Sequence, residues 1–112
     1  MKITKIKEDI TSEIANSLKK SIAIDTEATG LQIPERDKLS LIQICDEVGN
    51  VYIIQPNKNT FKAPNLVSVL ENNNILKIGH FLRFDKNALE FFLKCKMKNI
   101  FDTKIASKIA LQ

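Results

Sequence analysis

The stretch Ile22-Ala-Ile-Asp-Thr-Glu-Ala-Thr-Gly-Leu31 decides how the rest of this chain is interpreted. Together with Ser21, its first three residues form a short, mostly apolar segment that favours β-structure. We therefore predict a central strand that runs into Asp25. Side chains alternate along a strand, and residues i and i+2 point the same way, about 6.6 Å apart. If the strand continues to Glu27, both carboxylates project from one face at its C-terminal end, where functional crevices in open α/β sheets lie.

These two acids have alternative roles. Two carboxylates held close beside a buried strand repel each other, so either one of them keeps a proton or a cation offsets the charge. Hard divalent ions such as Mg²⁺ suit oxygen ligands of this kind. The alternative is that Asp25 and Glu27 merely begin a solvated turn, because the pattern Asp-x-Glu is common.

The remaining periodicity predicts an α/β chain with a mixed sheet. Gly49-Asn50 supplies turn chemistry between two strands, which favours an antiparallel hairpin, and the segment 28–38 is predicted to be a loop. The predicted elements are a helix over about 9–19, strands over 21–24, 39–45 and 51–54, a helix over 64–70, a strand over 75–78, a helix over 81–93, a strand over 100–101 and a helix from Asp102-Thr103 onward.

Composition restricts the classes of protein to which this chain can belong. The chain has 112 residues, 44% of them hydrophobic and 27% charged, which suits one domain with a real core. It contains neither an apolar run near the ~20 residues of a membrane span nor a signal peptide. Cys45 and Cys95 both lie in apolar stretches, so we expect buried thiols of an intracellular, cytoplasmic protein. The net charge of +4 permits a polyanionic partner without demonstrating one.

Other candidate residues follow the strand predicted at 75–78. Asp85 lies in the first turns of a predicted helix, either as a functional acid or as an acid stabilised by the helix N-terminus. Asp102 is better interpreted as a helix N-cap than as a ligand. His80 is the only histidine, and it either contacts a substrate or is structural or exposed.

The aromatic and basic residues around Asp85 also have two interpretations. Phe84 adjoins Asp85 and is the best placed to stack on a base. By default, however, the four phenylalanines of this region, at 81, 84, 91 and 92, fill the core. Arg83 and Lys86 are exposed charges by default, and their position beside Asp85 makes phosphate contact possible.

Taken in order, four segments resemble the DEDD family of 3′–5′ exonucleases, in its ribonuclease D-like branch. Ile22–Leu31 resembles the first exonuclease motif, and Lys77-Ile-Gly-His-Phe-Leu-Arg-Phe-Asp85 resembles the second. Arg36-Asp-Lys-Leu-Ser-Leu-Ile-Gln-Ile-Cys45 is similar to the hairpin strand that follows the first motif. Phe101-Asp-Thr-Lys-Ile-Ala-Ser107 is similar to the helix entry after the second. Each motif alone is weak, whereas the ordered set is specific.

The resemblance implies a ribonuclease H-like fold, a mixed sheet with flanking helices. It also implies hydrolysis of nucleic acid from a single-stranded 3′ end, RNA favoured over DNA, with release of nucleoside 5′-monophosphates. By position, Asp25, Glu27 and Asp85 would be the catalytic acids and would bind Mg²⁺ or Mn²⁺ in a two-metal site. Such ions, about 3.5–4 Å apart, stabilise the attacking and leaving oxygens. Glu27 would also position the attacking water.

The resemblance further implies contacts with the substrate. The backbone near Thr29 would meet the terminal nucleotide, and Leu31 would wedge against its base. We group His80 and Phe84 with these two as the expected substrate-binding residues.

Two departures from the family pattern matter. The family usually has Asn four residues before the second-motif Asp, and here Phe81 occupies that position. The third motif, which would supply a fourth carboxylate with a Tyr or His beside it, has no match after Asp85. We therefore expect residues 1–112 to be a single exonuclease domain cut before its catalytic set is finished.

Two other function classes share some of these sequence features. A non-catalytic fragment would retain the fold but lack turnover, because base catalysis alone is worth about 10²–10⁴-fold. We accordingly expect this chain by itself to be inactive or nearly so. A phosphoacceptor signalling domain needs an acceptor Asp after its middle strand, and here the strand at 51–54 is followed by Gln55-Pro56.

Overall fold

The computed structural model describes residues 2–30, 32–33 and 35–105, which form a mixed sheet of six strands with helices packed on it. Residues 103–105 are helical as well. None of the helices within the described ranges has the length and hydrophobicity that a membrane span needs. The elements in chain order are β1 (Ile3–Lys7), α1 (Ser12–Ser17), β2 (Ser21–Ala28), β3 (Leu39–Cys45), β4 (Val51–Gln55), α2 (Pro64–Glu71), β5 (Leu76–Gly79), α3 (Leu82–Leu93) and β6 (Ile100–Asp102).

The strands are ordered β1-β4-β3-β2-β5-β6, so the predicted central strand does lie inside the sheet. β2 pairs antiparallel with β3 and parallel with β5, and β3 and β4 form the predicted antiparallel hairpin. Ile22 and Ile24 are buried on one face of β2, whereas Ala23 and Asp25 are exposed on the other. The α/β class with a mixed sheet is therefore confirmed.

The N-terminal region differs from the prediction. A strand, β1, precedes the first helix, and α1 is shorter than the predicted helix over 9–19. β1 pairs with β4 at the edge of the sheet, and none of its side chains is fully buried. An edge strand of this kind carries little apolar alternation, which is why its sequence did not indicate it. α1 begins after Thr11, whose hydroxyl accepts a hydrogen bond from the N–H of Ile14 (3.2 Å).

The rotation of α3 also differs from the prediction. Its buried side chains are those of Leu82, Asp85, Ala88, Leu89 and Leu93. The predicted apolar stripe had begun at Phe81 and Phe84, one residue earlier. Phe81 is 52% exposed and Phe91 is also exposed, so the expectation that both fill the core is wrong. An acidic residue therefore occupies the inward face that the periodicity had assigned to aromatic rings.

The hairpin turn is organised by one carboxylate. Asp46 accepts hydrogen bonds from the N–H groups of Val48 (3.1 Å) and Asn50 (2.8 Å) and from the side-chain amide of Asn50 (2.9 Å). Gly49 has φ +93°, a left-handed value that favours glycine, as the turn chemistry predicted. Of the two free cysteines, Cys95 is buried as expected and Cys45 only half-buried. Burial raises the pKa of the Cys95 thiol to about 11.

Lys77 lies inside the structure with no exposed surface. Its Nζ donates hydrogen bonds to the carbonyls of Asn72 (2.6 Å) and Lys98 (2.8 Å), so it joins the segments that precede β5 and β6. Both acceptors are neutral, and an ammonium group buried without a countercharge is costly. Burial lowers the pKa of Lys77 to about 8.

We predict that the free energy of unfolding of the wild type rises, relative to that of Lys77→Met, between about pH 8 and pH 10.5. Folded Lys77 releases its proton near pH 8, whereas the unfolded side chain keeps it to about 10.5. The unfolded state therefore binds more protons in this window, and stability increases with pH. The slope is at most about 1.4 kcal/mol per pH unit.

Urea unfolding at several pH values measures this difference. Cys95 acts in the opposite direction, because its raised pKa makes the folded state hold the proton longer. It does so in both proteins, so its effect cancels in the comparison. Parallel pH profiles for the two proteins would contradict the prediction.

Candidate active site

Along one edge of the central strand, the C-terminal half pairs with no other strand in the part of the chain that the structure describes. β2 pairs with β5 only from Ser21 to Ala23, whereas its pairing with β3 continues to Ala28. β5 ends at Gly79, where an added Cβ would lie 2.5 Å from Leu82 Cδ1 and 3.2 Å from the carbonyl oxygen of Ile24. Glycine thus permits the close approach by which the chain leaves β5 and enters α3 beside β2.

Asp85 occupies this free edge of β2. Its Oδ1 accepts hydrogen bonds from the backbone N–H of Thr26 (3.0 Å) and from the Thr26 hydroxyl. The residue is only 5% exposed, although it lies in the first turn of α3. The structure therefore brings Asp85 to the strand that carries Asp25 and Glu27, the other two predicted acids.

The electrostatics of Asp85 differ from those of an ordinary surface acid. Burial raises the pKa of its carboxyl, the hydroxyl of Thr26 opposes this rise, and the negative charge of Asp25 adds to it. Two carboxylates that act on each other in this way are stabilised by a cation between them or by a shared proton. A raised pKa from burial and a like charge is also a feature of functional sites.

Asp25 and Glu27 both lie on the exposed face of β2, because the strand continues beyond them to Ala28. A β-bulge follows at this point: Glu27 pairs with Leu41 and Ala28 with Leu39, so Ser40 is unpaired and its hydroxyl donates to the carbonyl of Glu27 (3.0 Å). Bulges often re-aim side chains beside active sites. Within the described part of the chain, no three acidic, His or Cys side chains already form a closed set of metal ligands.

The loop after β2 is organised by Asp37, a residue that the sequence analysis did not single out. Its Oδ2 accepts from the N–H of Gln32 (2.9 Å) and its Oδ1 from the hydroxyl of Thr29 (3.2 Å). The hydrogen bond from Gln32 holds the pKa of Asp37 below its usual range. The Thr29 hydroxyl is thus engaged within the loop, and Leu31 lies outside the described residues. The spacing of five residues between Gln32 and Asp37 matches no motif by which the sequence could have indicated this contact.

The other two predicted substrate residues lie on the β5 and α3 side. His80 is exposed, and its Nδ1 is 2.9 Å from Thr103 Oγ1, which donates to the carbonyl of Gly79 (3.3 Å). Phe84 is half-buried. Because adjacent residues of a helix point in different directions, Phe84 does not lie on the same helix face as Asp85.

Asp102 caps two helical segments, which extends its predicted role. It accepts hydrogen bonds from the N–H groups of Phe81 (3.0 Å) and Leu82 (2.9 Å) at the start of α3, and from Lys104 (2.9 Å). Burial acts to raise the pKa of Asp102, but these hydrogen bonds outweigh it and lower the pKa. Phe81 has a left-handed φ of 54° and lies under the ammonium of Lys104, 3.9 Å from the ring centroid.

The family of the chain follows from a comparison with protein-family models. The model described as 3′–5′ exonuclease matches residues 3–111. The chain belongs to this 3′–5′ exonuclease family. The match confirms the resemblance to DEDD exonucleases seen in the two motifs. A comparison with curated protein sequences finds no significant match.

Solved structures place the exonuclease-family chain in the same fold. NrnC of Brucella melitensis is 39% identical, with a TM-score of 0.89 over 97% of this chain and 52% of that one. A nuclease in its apo form is 37% identical, with a TM-score of 0.91 over 97% and 52%. The RRP6 catalytic core of Trypanosoma brucei, 23% identical, shares the fold with a TM-score of 0.72 over 95% and 30%. The ribonuclease H-like fold is confirmed, and the chain spans about half the length of the first two structures.

We predict that Asp85→Asn stabilises the metal-free protein at pH 7. Because burial and Asp25 raise the pKa of Asp85, its charged form is held in the folded state at a cost, which lowers stability as pH rises above about 4. The neutral amide removes this cost and keeps one acceptor for Thr26. We expect a gain of about 0.5–2 kcal/mol, the usual range for a stabilising substitution.

Unfolding in urea with a chelator present measures this gain at pH 4 and at pH 7. The difference between variant and wild type is expected to shrink toward pH 4, because protonation removes the same charge from the wild type. A variant that is less stable than the wild type at pH 7 would refute the assignment of an unfavourable charge at Asp85.

Proposed function

We propose that the free edge of β2 is the metal-binding part of a 3′–5′ exonuclease site that acts on single-stranded RNA. The observation that carries the proposal is the pair Asp25 and Asp85, which lie close enough for the charge of one to raise the pKa of the other. Buried or crowded carboxylates of this kind fit a hard divalent cation, which offsets their repulsion through oxygen ligands. In a member of the 3′–5′ exonuclease family, such a cation would assist the hydrolysis of a phosphodiester bond.

The roles of individual residues belong to the same proposal. Asp25, Glu27 and Asp85 would hold Mg²⁺ or Mn²⁺, and a two-ion site would supply charge stabilisation to the attacking and leaving oxygens. Glu27 would orient water at the exposed face of β2. Thr26 keeps the Asp85 carboxylate in place through its N–H and hydroxyl.

The proposed substrate class is inferred from similar proteins of known structure. Structures of Brucella melitensis NrnC include one with bound Mg²⁺ and one bound to pGG. By this similarity we propose that the present chain binds the 3′ end of a short single-stranded RNA and favours it over DNA. Thr29, Leu31, His80 and Phe84 would contact that end, with Thr29 acting through its backbone because its hydroxyl is engaged by Asp37.

Turnover by these 112 residues alone is proposed to be very slow. The only acids after Asp85 are Glu90 and Asp102. Glu90 pairs with Lys86 (3.0 Å) and accepts from the N–H of Met97 (2.9 Å), and Asp102 caps α3. Neither is free to serve as a fourth carboxylate. The alternative proposal, a non-catalytic fragment, is favoured by the same observation and differs only in the absence of any turnover.

We predict that Mg²⁺ stabilises the wild type against unfolding and that Asp25→Asn and Glu27→Gln abolish the effect. A ligand at ten times its dissociation constant adds about 1.4 kcal/mol to the free energy of unfolding. Glu47→Gln is the matched control, because Glu47 is an exposed acid at the opposite end of β2, where it accepts from the N–H of Ser21 (3.2 Å). It is expected to retain the full Mg²⁺ effect.

The same proteins are then incubated with 3′-labelled RNA and Mg²⁺ or Mn²⁺. Slow release of mononucleotides that Asp25→Asn removes supports the exonuclease, and no release supports the non-catalytic alternative. Brisk Asp25-dependent release would refute the proposal of very slow turnover. A wild type that Mg²⁺ does not stabilise would contradict the metal site itself.

A further inference from the structure

The segment from Thr29 to Lys38 is closed into a loop by contacts that converge on one carboxylate. The N–H of Thr29 donates to the carbonyl of Lys38 (3.0 Å), and the N–H of Lys38 donates back to the Thr29 hydroxyl (3.0 Å). That hydroxyl donates in turn to Asp37 Oδ1 (3.2 Å). The base of the loop is therefore fixed by a ring of hydrogen bonds that includes Asp37.

The same carboxylate holds the middle of the loop. Asp37 Oδ2 accepts from the N–H of Gln32 (2.9 Å), and the N–H of Asp37 donates to the carbonyl of Gln32 (2.9 Å). Gly30 packs directly on it, since an added Cβ there would overlap with Oδ2 and lie 2.8 Å from Oδ1. Asp37 is 5% exposed and its hydrogen bonds with Thr29 and Gln32 are partly buried, which strengthens them relative to hydrogen bonds at the surface.

We infer that Asp37 is a positioning residue that sets the backbone of Thr29, Gly30 and Gln32 for contact with the 3′-terminal nucleotide. This inference rests on the proposed function, because it concerns the loop that directly follows Asp25 and Glu27 on β2. Asp37 acts through Thr29 and Gly30 rather than by touching substrate or metal. Its loss is expected to disturb nucleotide binding while leaving metal binding intact.

The sharpest variant is Asp37→Asn, which keeps the shape of the side chain. The carboxylate offers one oxygen to Thr29 and the other to Gln32, whereas the amide has only one acceptor. If the remaining oxygen serves the N–H of Gln32, the Thr29 hydroxyl faces an NH₂ group and must turn from donor to acceptor, and the negative charge that strengthens both hydrogen bonds is lost. Gly30→Ala perturbs the same carboxylate from the backbone side, because its methyl group occupies the space where the oxygens lie.

Asp46→Asn is the matched control. Asp46 organises the hairpin turn at the other end of β3 in the same manner, through N–H groups and an amide, and its pKa is also lowered, by hydrogen bonds that outweigh burial. It lies beside the start of β2, whereas Asp37 precedes the part of β3 that pairs with the end of β2. A general loss of stability would therefore be shared by both variants, whereas a role in positioning belongs to Asp37 alone.

The test measures three properties of each 112-residue variant: thermal unfolding, Mg²⁺ affinity by calorimetry, and affinity for a short 5′-fluorescein-labelled single-stranded RNA in Mg²⁺ by anisotropy. A phosphorothioate at the 3′-terminal linkage slows any hydrolysis. Asp37→Asn and Gly30→Ala are each expected to weaken RNA binding at least about fivefold, as a lost buried hydrogen-bond partner does. Mg²⁺ affinity is expected to stay within about twofold of the wild type.

The outcomes separate the inference from the function on which it rests. Wild-type RNA affinity in Asp37→Asn or in Gly30→Ala would overturn the positioning role and leave the proposed function standing. Equal losses of RNA and Mg²⁺ affinity, or RNA loss shared with Asp46→Asn, would overturn it as well, because the effect would then be structural. A wild type that binds Mg²⁺ but no RNA would refute both the proposed substrate and the role of Asp37. If Asp37→Asn does not fold, Gly30→Ala decides the matter alone.

Discussion

The hydrogen bonds from Thr26 to the carboxylate of Asp85 join α3 to the free edge of β2. Beyond Ala23 that edge pairs with no strand among the described residues, and Asp85 supplies an acceptor for a backbone donor of β2. The contact also fixes the rotation of α3. Once Asp85 faces the sheet, Leu82 and Leu89 face it too, and Phe81 is left exposed. An acidic residue thus determines which apolar side chains of the helix reach the core.

The sequence predicted most of the sheet because its inner strands are apolar and its turns carry glycine. The central strand, the hairpin and the strand before Gly79 all followed from these local patterns. Local patterns failed where burial does not follow polarity. β1 has no fully buried residue, Lys77 is completely buried, and the inward face of α3 contains Asp85. In each case a tertiary partner, which periodicity cannot show, decides the outcome.

Helix caps show the same limit of local reasoning. Neither α2 nor α3 has a capping side chain at its own N-cap residue, Ala63 or Phe81. Asp9 instead accepts from the N–H groups of residues 65 and 66 (2.9 Å each), and Asp102 accepts from those of residues 81 and 82. Both acids follow or end a strand, so formation of the sheet brings them to the helices. Thr11 at α1 and Asp102 in its contact with Lys104 act locally instead, with the short spacings that a sequence displays.

The acids near the proposed site differ in what stabilises them, and this difference separates the carboxylates that the fold itself satisfies from the proposed metal ligand. Asp37 and Asp102 accept backbone N–H groups, which stabilise the charged form and lower the pKa of each. Asp85 is buried beside the charge of Asp25, and its pKa is raised. A carboxylate with a lowered pKa is already stabilised by donors within the fold, whereas one with a raised pKa has no nearby positive charge to offset its own. A divalent cation would supply that charge at Asp85, and the Thr26 contact keeps the carboxylate at the edge of β2 where Asp25 lies.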